Sequence, residues 1–304
     1  MLTSINISNL FGLYSYDINL KSDTSSVCFI TGPNGYGKTS VLNIINDIYN
    51  QNLEELSKIP FDIVRLTFSG LESYNIDQIR ESFHEEESDE EIECGVALKT
   101  KLQLSSGDEY TFNWIDDCES VGTPDTNIKL FFESHPVYYI RDGRLFTPEG
   151  TPTLKICVNK LKESLNNAYI ADNECFKDKL NVFKQVIEAS HFANKTLEVD
   201  SRYGFRYILN NEDKTILSTD KLSSGEKHLT VMAFELIFNA PDDSLVLIDE
   251  PEISFHILWQ VDFLKNIRRI LSLRKLQCIV ATHSPQIFNM DWDLSVDLYT
   301  QTQG

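Results

Sequence analysis

Residues 27–39 read VCFITGPNGYGKT, an apolar pentapeptide that runs into a glycine-rich turn and a lysine. Gly32, Gly37, Lys38 and Thr39 fill every fixed position of the pattern G-x-x-x-x-G-K-[ST], with Pro33, Asn34, Gly35 and Tyr36 between them and Ser40 after. The chemistry asks for these residue types. Glycines let backbone amides turn inward on an anion, and a following helix offers its positive N-terminus. Lys38 adds a movable point charge, and the Thr39 hydroxyl is a hard oxygen ligand of the kind Mg²⁺ takes. The flanks agree. VCFIT predicts a buried strand, and VLNIINDIYNQNLEEL (residues 41–56) has the apolar periodicity of a helix. Strand, loop and helix therefore follow in the order that a phosphate loop requires.

Working outward, two more apolar strands end in polar residues. LVLIDEPE (245–252) sets Asp249 and Glu250 at the carboxyl end of a predicted strand, where a parallel α/β sheet presents its ligands. Asp249 is expected to hold Mg²⁺ through its water shell, and Glu250 to polarise or deprotonate an attacking water. ATHSP (281–285) ends the next strand, so His283 should emerge at the same edge, in reach of a γ-phosphate. Between loop and acids lies LSSGEKHL (222–229), a second Ser/Gly turn at a predicted helix start. Ser223 or Ser224 would cap that helix, with Gly225 and Glu226 in its first turn.

The remaining chain reads as strands, then helices, then strands. Residues 1–20 alternate as two strands of a meander around a Phe-Gly turn, and residues 60–115 hold short β pieces such as FDIVRLTF and ALKTKLQL. The acidic run ESFHEEESDEEIE (81–93) reads as a solvated loop or helix face. Helical spacing prevails from about residue 154 to 193, LEVDSRYGFRYILNNEDKTILSTD (197–220) gives two or three strands, and WQVDFLKNIRRILSLRK (259–275) a helix.

Bulk composition sets limits. With 46 acidic against 27 basic residues, the formal charge of −19 argues against a globally basic nucleic-acid surface. Six scattered cysteines without a C-x-x-C pair suit a reducing compartment, and no apolar run approaches a membrane span or follows a basic leader. A cytoplasmic protein is the expectation.

Together GPNGYGKT, LSSGEK, LVLIDE, PEISFH and ATHSP resemble, in order, the Walker A, signature, Walker B, D-loop and switch-histidine motifs of the ABC-type ATPase superfamily. The glutamate in LSSGE is similar to the soluble branch that holds RecF, SMC and OLD proteins. Within it, NLFGLYSYDINL and LIDEPEISFH look most like stand-alone ATPase subunits of bacterial anti-phage defence, Septu-like or PARIS-like. The resemblance implies an α/β fold: an ABC-ATPase head with a P-loop mixed or parallel sheet, an antiparallel β subdomain and a short helical insertion. One domain would span 1–304, with an N-terminal lobe (1–150), the insertion (151–196) and a C-terminal lobe (197–304).

The resemblance further implies ATP and Mg²⁺ as ligands and a homodimer, or higher homo-oligomer, formed through the signature. Nucleotide would lie between Gly32–Ser40 of one subunit and Ser223, Ser224, Gly225 and Glu226 of the other, with Lys38, Glu250 and His283 catalytic and Thr39 and Asp249 on the metal. OLD proteins carry a fused TOPRIM domain after the switch histidine. The stretch past His283 is too short for one, so the expected effector, a TOPRIM-like or HNH-like nuclease, comes from another chain. The chain departs from the pattern in having Ser224 for a glycine, no clear Q-loop glutamine (Arg144 is a stand-in) and no assignable adenine-stacking aromatic, although Phe11 and Tyr14 lie in the right region. A RecF- or SMC-like DNA-repair ATPase is the alternative, and a transporter ATPase subunit a third reading. Direct nucleic-acid contact stays open. Its best local cluster is Lys265, Arg268, Arg269, Arg274 and Lys275, for which an exposed helix face or a partner-docking surface is the blander reading.

Overall fold

The computed structural model describes all residues except 21–25, 71, 85–90, 116–124, 142–144, 146–150, 152, 191, 254 and 303–304. The chain opens with β1 (Leu2–Leu10) and β2 (Tyr14–Asn19), an antiparallel pair whose turn carries Phe11 and Gly12 at positive φ. β3 (Val27–Thr31) follows, buried at all five positions, then α1 (Lys38–Tyr49) and α2 (Leu53–Ser57). The sequence reads one helix here. The chain breaks it at Asn50–Asn52, with Gln51 at φ 52, because these residues cap and turn more readily than they propagate a helix.

Next come β4 (Ile63–Phe68), β5 (Ser73–His84), β6 (Glu91–Gln103) and β7 (Glu109–Ile115), which extend β1 and β2 into a six-stranded antiparallel sheet of order β2-β1-β4-β5-β6-β7. The ends of the acidic run are thus strand, not loop or helix: Ser82, Phe83 and His84 pair with Glu93, Ile92 and Glu91. Long cross-strand pairing extends the ladder through polar sequence. Residues 85–90 of that run lie outside the described residues.

α3 (Thr126–Glu133) leads to β8 (Val137–Ile140), and the insertion contains α4 (Thr153–Asn166), α5 (Ala168–Ala171) and α6 (Glu174–Ala189). β9 (Lys195–Asp200), β10 (Gly204–Leu209) and β11 (Ile216–Leu217) form a small antiparallel sheet. α7 (Ser224–Phe234) runs on as a π-helical turn, Glu235–Asn239; β12 (Leu245–Asp249), α8 (Ile257–Arg274) and β13 (Gln277–Ala281) follow. The sequence gives no warning of the last elements, β14 (Ser295–Asp297) and α9 (Leu298–Gln301). Three residues are too few for a periodicity.

The second large sheet is parallel throughout, in the order β14-β3-β13-β12-β8. Its strands alternate between two cores. Phe29, Val246 and Val280 face α4, α6, α7 and α8, whereas Ile30, Leu247 and Ile279 face α1 and the antiparallel sheet. Cys28 and Cys278 are buried on these strands and in no disulfide, as their apolar setting predicts. Among the described residues no helix is long and apolar enough to cross a membrane.

β10 meets α4 closely. Gly204 has φ 76, and a Cβ placed there would stand 2.2 Å from the Val158 carbonyl oxygen. Gly204→Ala combines a backbone clash with left-handed strain and should destabilise the chain by roughly 3 kcal/mol or more. Denaturant unfolding checks this; a midpoint equal to the parent's would show that α4 moves aside freely.

Candidate functional site: the carboxyl edge of the parallel sheet

Register brings the expected residues to one edge. Thr31 ends β3 and feeds the glycine loop, Ala281 lies opposite Ile30 and Asp249, and His283 and Glu250 follow at the same level. The Glu250 amide donates to the Ala281 carbonyl (2.9 Å), tying the two strand ends together just past the ladder.

The loop itself is shaped by its glycines. Gly32, Gly35 and Gly37 have φ of 140, 90 and 76, and Gly37 is the left-handed N-cap of α1. A side chain at Gly37 would meet Leu10 Cδ2 at 3.1 Å, while one at Gly35 would project into open space. The Tyr36 carbonyl accepts from Tyr16 Oη–H (2.7 Å), and the Tyr36 ring packs on Tyr14 and Tyr299, so the loop is braced from behind. In front lies a cleft of about 350 Å³ lined by Phe11, Asn34, Gly37, Lys38, Thr39 and Glu250, with Gly35 and Ser40 at its margin. Phe11 thus borders the cleft, and Tyr14 stands behind the loop. Arg144 lies outside the described residues.

Lys38 is only 5% exposed and its ammonium donates to the Gly32 (3.0 Å) and Pro33 (3.3 Å) carbonyls, with Glu250 Oε1 at 3.7 Å. Thr39 Oγ1–H donates to Asp249 Oδ1 at 3.2 Å. This couples a hydroxyl on α1 to the carboxylate ending β12, two hard oxygen donors on adjoining elements that suit Mg²⁺. Glu250 sits at φ 43, a left-handed conformation unusual for a non-glycine residue, and its Oε2 lies 2.6 Å from His283 Nδ1. Burial pushes the Glu250 carboxyl up to about 7; the neighbouring Glu252 carboxyl adds to the rise, while His283 and Lys38 oppose it. A carboxylate with affinity for a proton near neutrality is suited to take one from water.

Glu252 had no role in the sequence reading. It is buried, its Oε1 accepts from Thr282 Oγ1–H (2.5 Å) and from the His283 amide (3.0 Å), and His283 Nδ1 is 3.4 Å away. In the sequence it shows only as a second acid two places after Glu250; its place against the histidine comes from the fold.

The signature residues lie elsewhere. Ser223 caps α7 through a capping box: its Oγ accepts from the Glu226 amide (3.2 Å), and Glu226 Oε2 accepts from the Ser223 amide (2.9 Å). Lys195 Nζ donates to the other Glu226 oxygen at 2.6 Å. Glu226 is therefore turned inward and engaged through both oxygens, whereas Ser223 and Ser224 are exposed. Among the described residues no hydrogen bond joins residues 223–226 to the loop 32–40, and none of the four lines the cleft. His256, also in a matching motif, is the N-cap of α8 and accepts from the Leu258 amide.

The basic cluster on α8 is smaller in space than in sequence. Arg274 is buried and donates to the Ile237 and Ala240 carbonyls and to Asp242, holding the π-helical turn; Arg268 pairs with Asp291 at 3.9 Å. Lys265 and Lys275 are exposed and Arg269 is half-buried.

A family model described as "AAA domain, putative AbiEii toxin, Type IV TA system" matches residues 27–289. No curated protein sequence matches the chain. Among solved structures, an SMC head bound to the C-winged helix domain of ScpA is similar with a TM-score of 0.55 at 14% identity, over 94% of this chain and 91% of that one. An SMC head domain from Thermotoga maritima gives a TM-score of 0.45 at 13% identity, over 97% and 92%. The first likeness is one of fold: the chain has the fold of an SMC head, with its parallel and antiparallel sheets.

Proposed function

The chain belongs to this AAA-domain family, and from that premise we propose that it binds and hydrolyses ATP as the ATPase subunit of a bacterial anti-phage defence system, dimerising around nucleotide and regulating a separate nuclease. One observation carries the dimer: a capped, exposed helix start bearing Ser223 that lines no part of the chain's own cleft. A second anion-binding helix terminus without a phosphate in its own subunit is accounted for by a neighbour's γ-phosphate.

The residues divide the work. The loop amides and the Lys38 ammonium bind the β- and γ-phosphates; to do so Lys38 exchanges its bonds to the Gly32 and Pro33 carbonyls for bonds to phosphate oxygens. Thr39 and Asp249 would hold Mg²⁺, which when bound neutralises charge on the phosphates. Glu250 takes the proton of the attacking water, and His283, hydrogen-bonded to Glu250, reads the γ-phosphate. Ser223 donates its hydroxyl proton across the dimer. Lys38→Ala should weaken ATP binding by about 10- to 100-fold, read by titration with a fluorescent ATP analogue; unchanged affinity would remove Lys38 from the site.

The effector assignment is supported by the motif resemblance and by the toxin–antitoxin description of the family. Burial of Arg274 takes one residue out of the basic cluster on which direct DNA contact would rest, and Lys265, Arg268 and Lys275 stay exposed. Affinity capture of the tagged chain from its native cell, with ATP and with ADP, tests the proposal. Recovery of a TOPRIM- or HNH-type nuclease supports it, and recovery of a permease overturns it.

A further inference from the structure

Behind the Glu250–His283 pair lies a second carboxylate whose hydrogen bonds go to the backbone and neighbour of the histidine. Glu252 Oε1 accepts from both the His283 amide and Thr282 Oγ1–H. Thr282, fully buried, in turn accepts from the Ser284 amide at 3.0 Å and donates its own amide to the Ile30 carbonyl. Two of the residues that turn the chain out of β13, Thr282 and His283, are therefore bound directly to one side chain on the loop after β12, and Ser284 is bound to it through Thr282. Glu252 Oε2 is buried with no hydrogen-bond donor among the described residues. Leaving a carboxylate oxygen so, beside the Glu250 carboxylate, costs free energy that a neutral, well-packed residue would spare. A fold seeking only a link between two loops has less expensive choices.

We propose that Glu252 is a positioning residue that sets His283 against Glu250, by holding the His283 amide and the Thr282 hydroxyl from the opposite loop. The inference rests on the roles given to Glu250 and His283 above. The hydrogen bonds of Glu252 Oε1 go to Thr282 and the His283 amide, so its positioning acts through the histidine, beside its direct effect on the proton affinity of Glu250. With its anchor removed, the His283 backbone is free to shift, and a displacement of about 1 Å at a reacting group is enough to lower a rate roughly 100-fold.

A double-mutant cycle tests this. Glu252→Ala should lower kcat for ATP by about 10- to 100-fold while KM moves less than about threefold. Glu252→Gln, whose amide oxygen can still accept from Thr282 and His283, should recover most of the loss. In a His283→Ala background Glu252→Ala should add clearly less than it costs alone, because the residue it positions is gone and only its direct effect on the proton affinity of Glu250 remains. Thr282→Val, which removes one of the two donors, should show a smaller loss that vanishes in that background, and serves if Glu252→Ala does not fold. An equal loss with and without His283, a Gln variant as slow as Ala, or parental turnover in Glu252→Ala would each overturn the proposal. Parental turnover in His283→Ala and Glu250→Gln would instead overturn the underlying assignment of base and switch.

Discussion

Glu250→Gln should bind Mg²⁺ and ATP as the parent chain does and lose at least about 100-fold in turnover, the usual contribution of a positioned general base. The substitution keeps size and leaves an amide oxygen that His283 can still approach, so the strand ends and the loop stay in place. What it removes is the ability to accept a proton. Glu250 is well equipped for that task, because burial and the adjacent Glu252 carboxyl raise its proton affinity to the neutral range. If, as proposed, the chain dimerises around ATP, blocked hydrolysis should also make the variant accumulate closed dimers in ATP, seen as a doubling of mass by light scattering. Turnover equal to the parent's would remove Glu250 from the role of base.

Ser223→Arg should leave ATP binding by the monomer within about twofold and abolish both ATP-dependent association and turnover. Magnitudes separate the two roles of this serine. Loss of the cap costs about 1 kcal/mol of helix stability, too little to unfold a domain of this size. An arginine at the exposed start of α7, in contrast, places a long charged side chain where the proposed dimer would bring a second subunit within hydrogen-bond distance of the hydroxyl. The Lys195–Glu226 pair and the buried Leu222 hold the helix start in position whatever the residue at 223. Sedimentation with ATP and with ADP reads association directly; dimers of the Arg variant in ATP would rule out the signature as the interface.

How much of this was legible beforehand depends on how each feature is encoded. Short local patterns were readable: VCFIT, LVLID and LQCIVAT are strands because each is uniformly apolar and bounded by polar turns, and the G-x-x-x-x-G-K-T spacing fixes a backbone shape. The meeting of Asp249, Glu250 and His283 at one edge followed from parallel strands ending in step. Non-local features were not readable. Nothing in Glu252 announces that its partners are Thr282 and the His283 amide, thirty positions on, since a carboxylate's acceptors are satisfied by whatever the fold brings near. Nor does SVD at 295–297 signal a strand; it becomes one only because β3 offers an unpaired edge beside it. Arg274 misleads for a similar reason, a basic residue in a basic run that the fold turns inward to carbonyls.

The parallel sheet separates two cores, with neighbouring residues on each strand facing opposite ways: Phe29 and Val280 belong to one, Ile30 and Ile279 to the other. It works as a party wall. Substitutions on its two faces should combine additively, so the helical side can change over generations to suit new protein partners while the nucleotide side keeps its chemistry. Only the strand ends belong to both rooms, so under the proposed function a signal from a partner would pass through them.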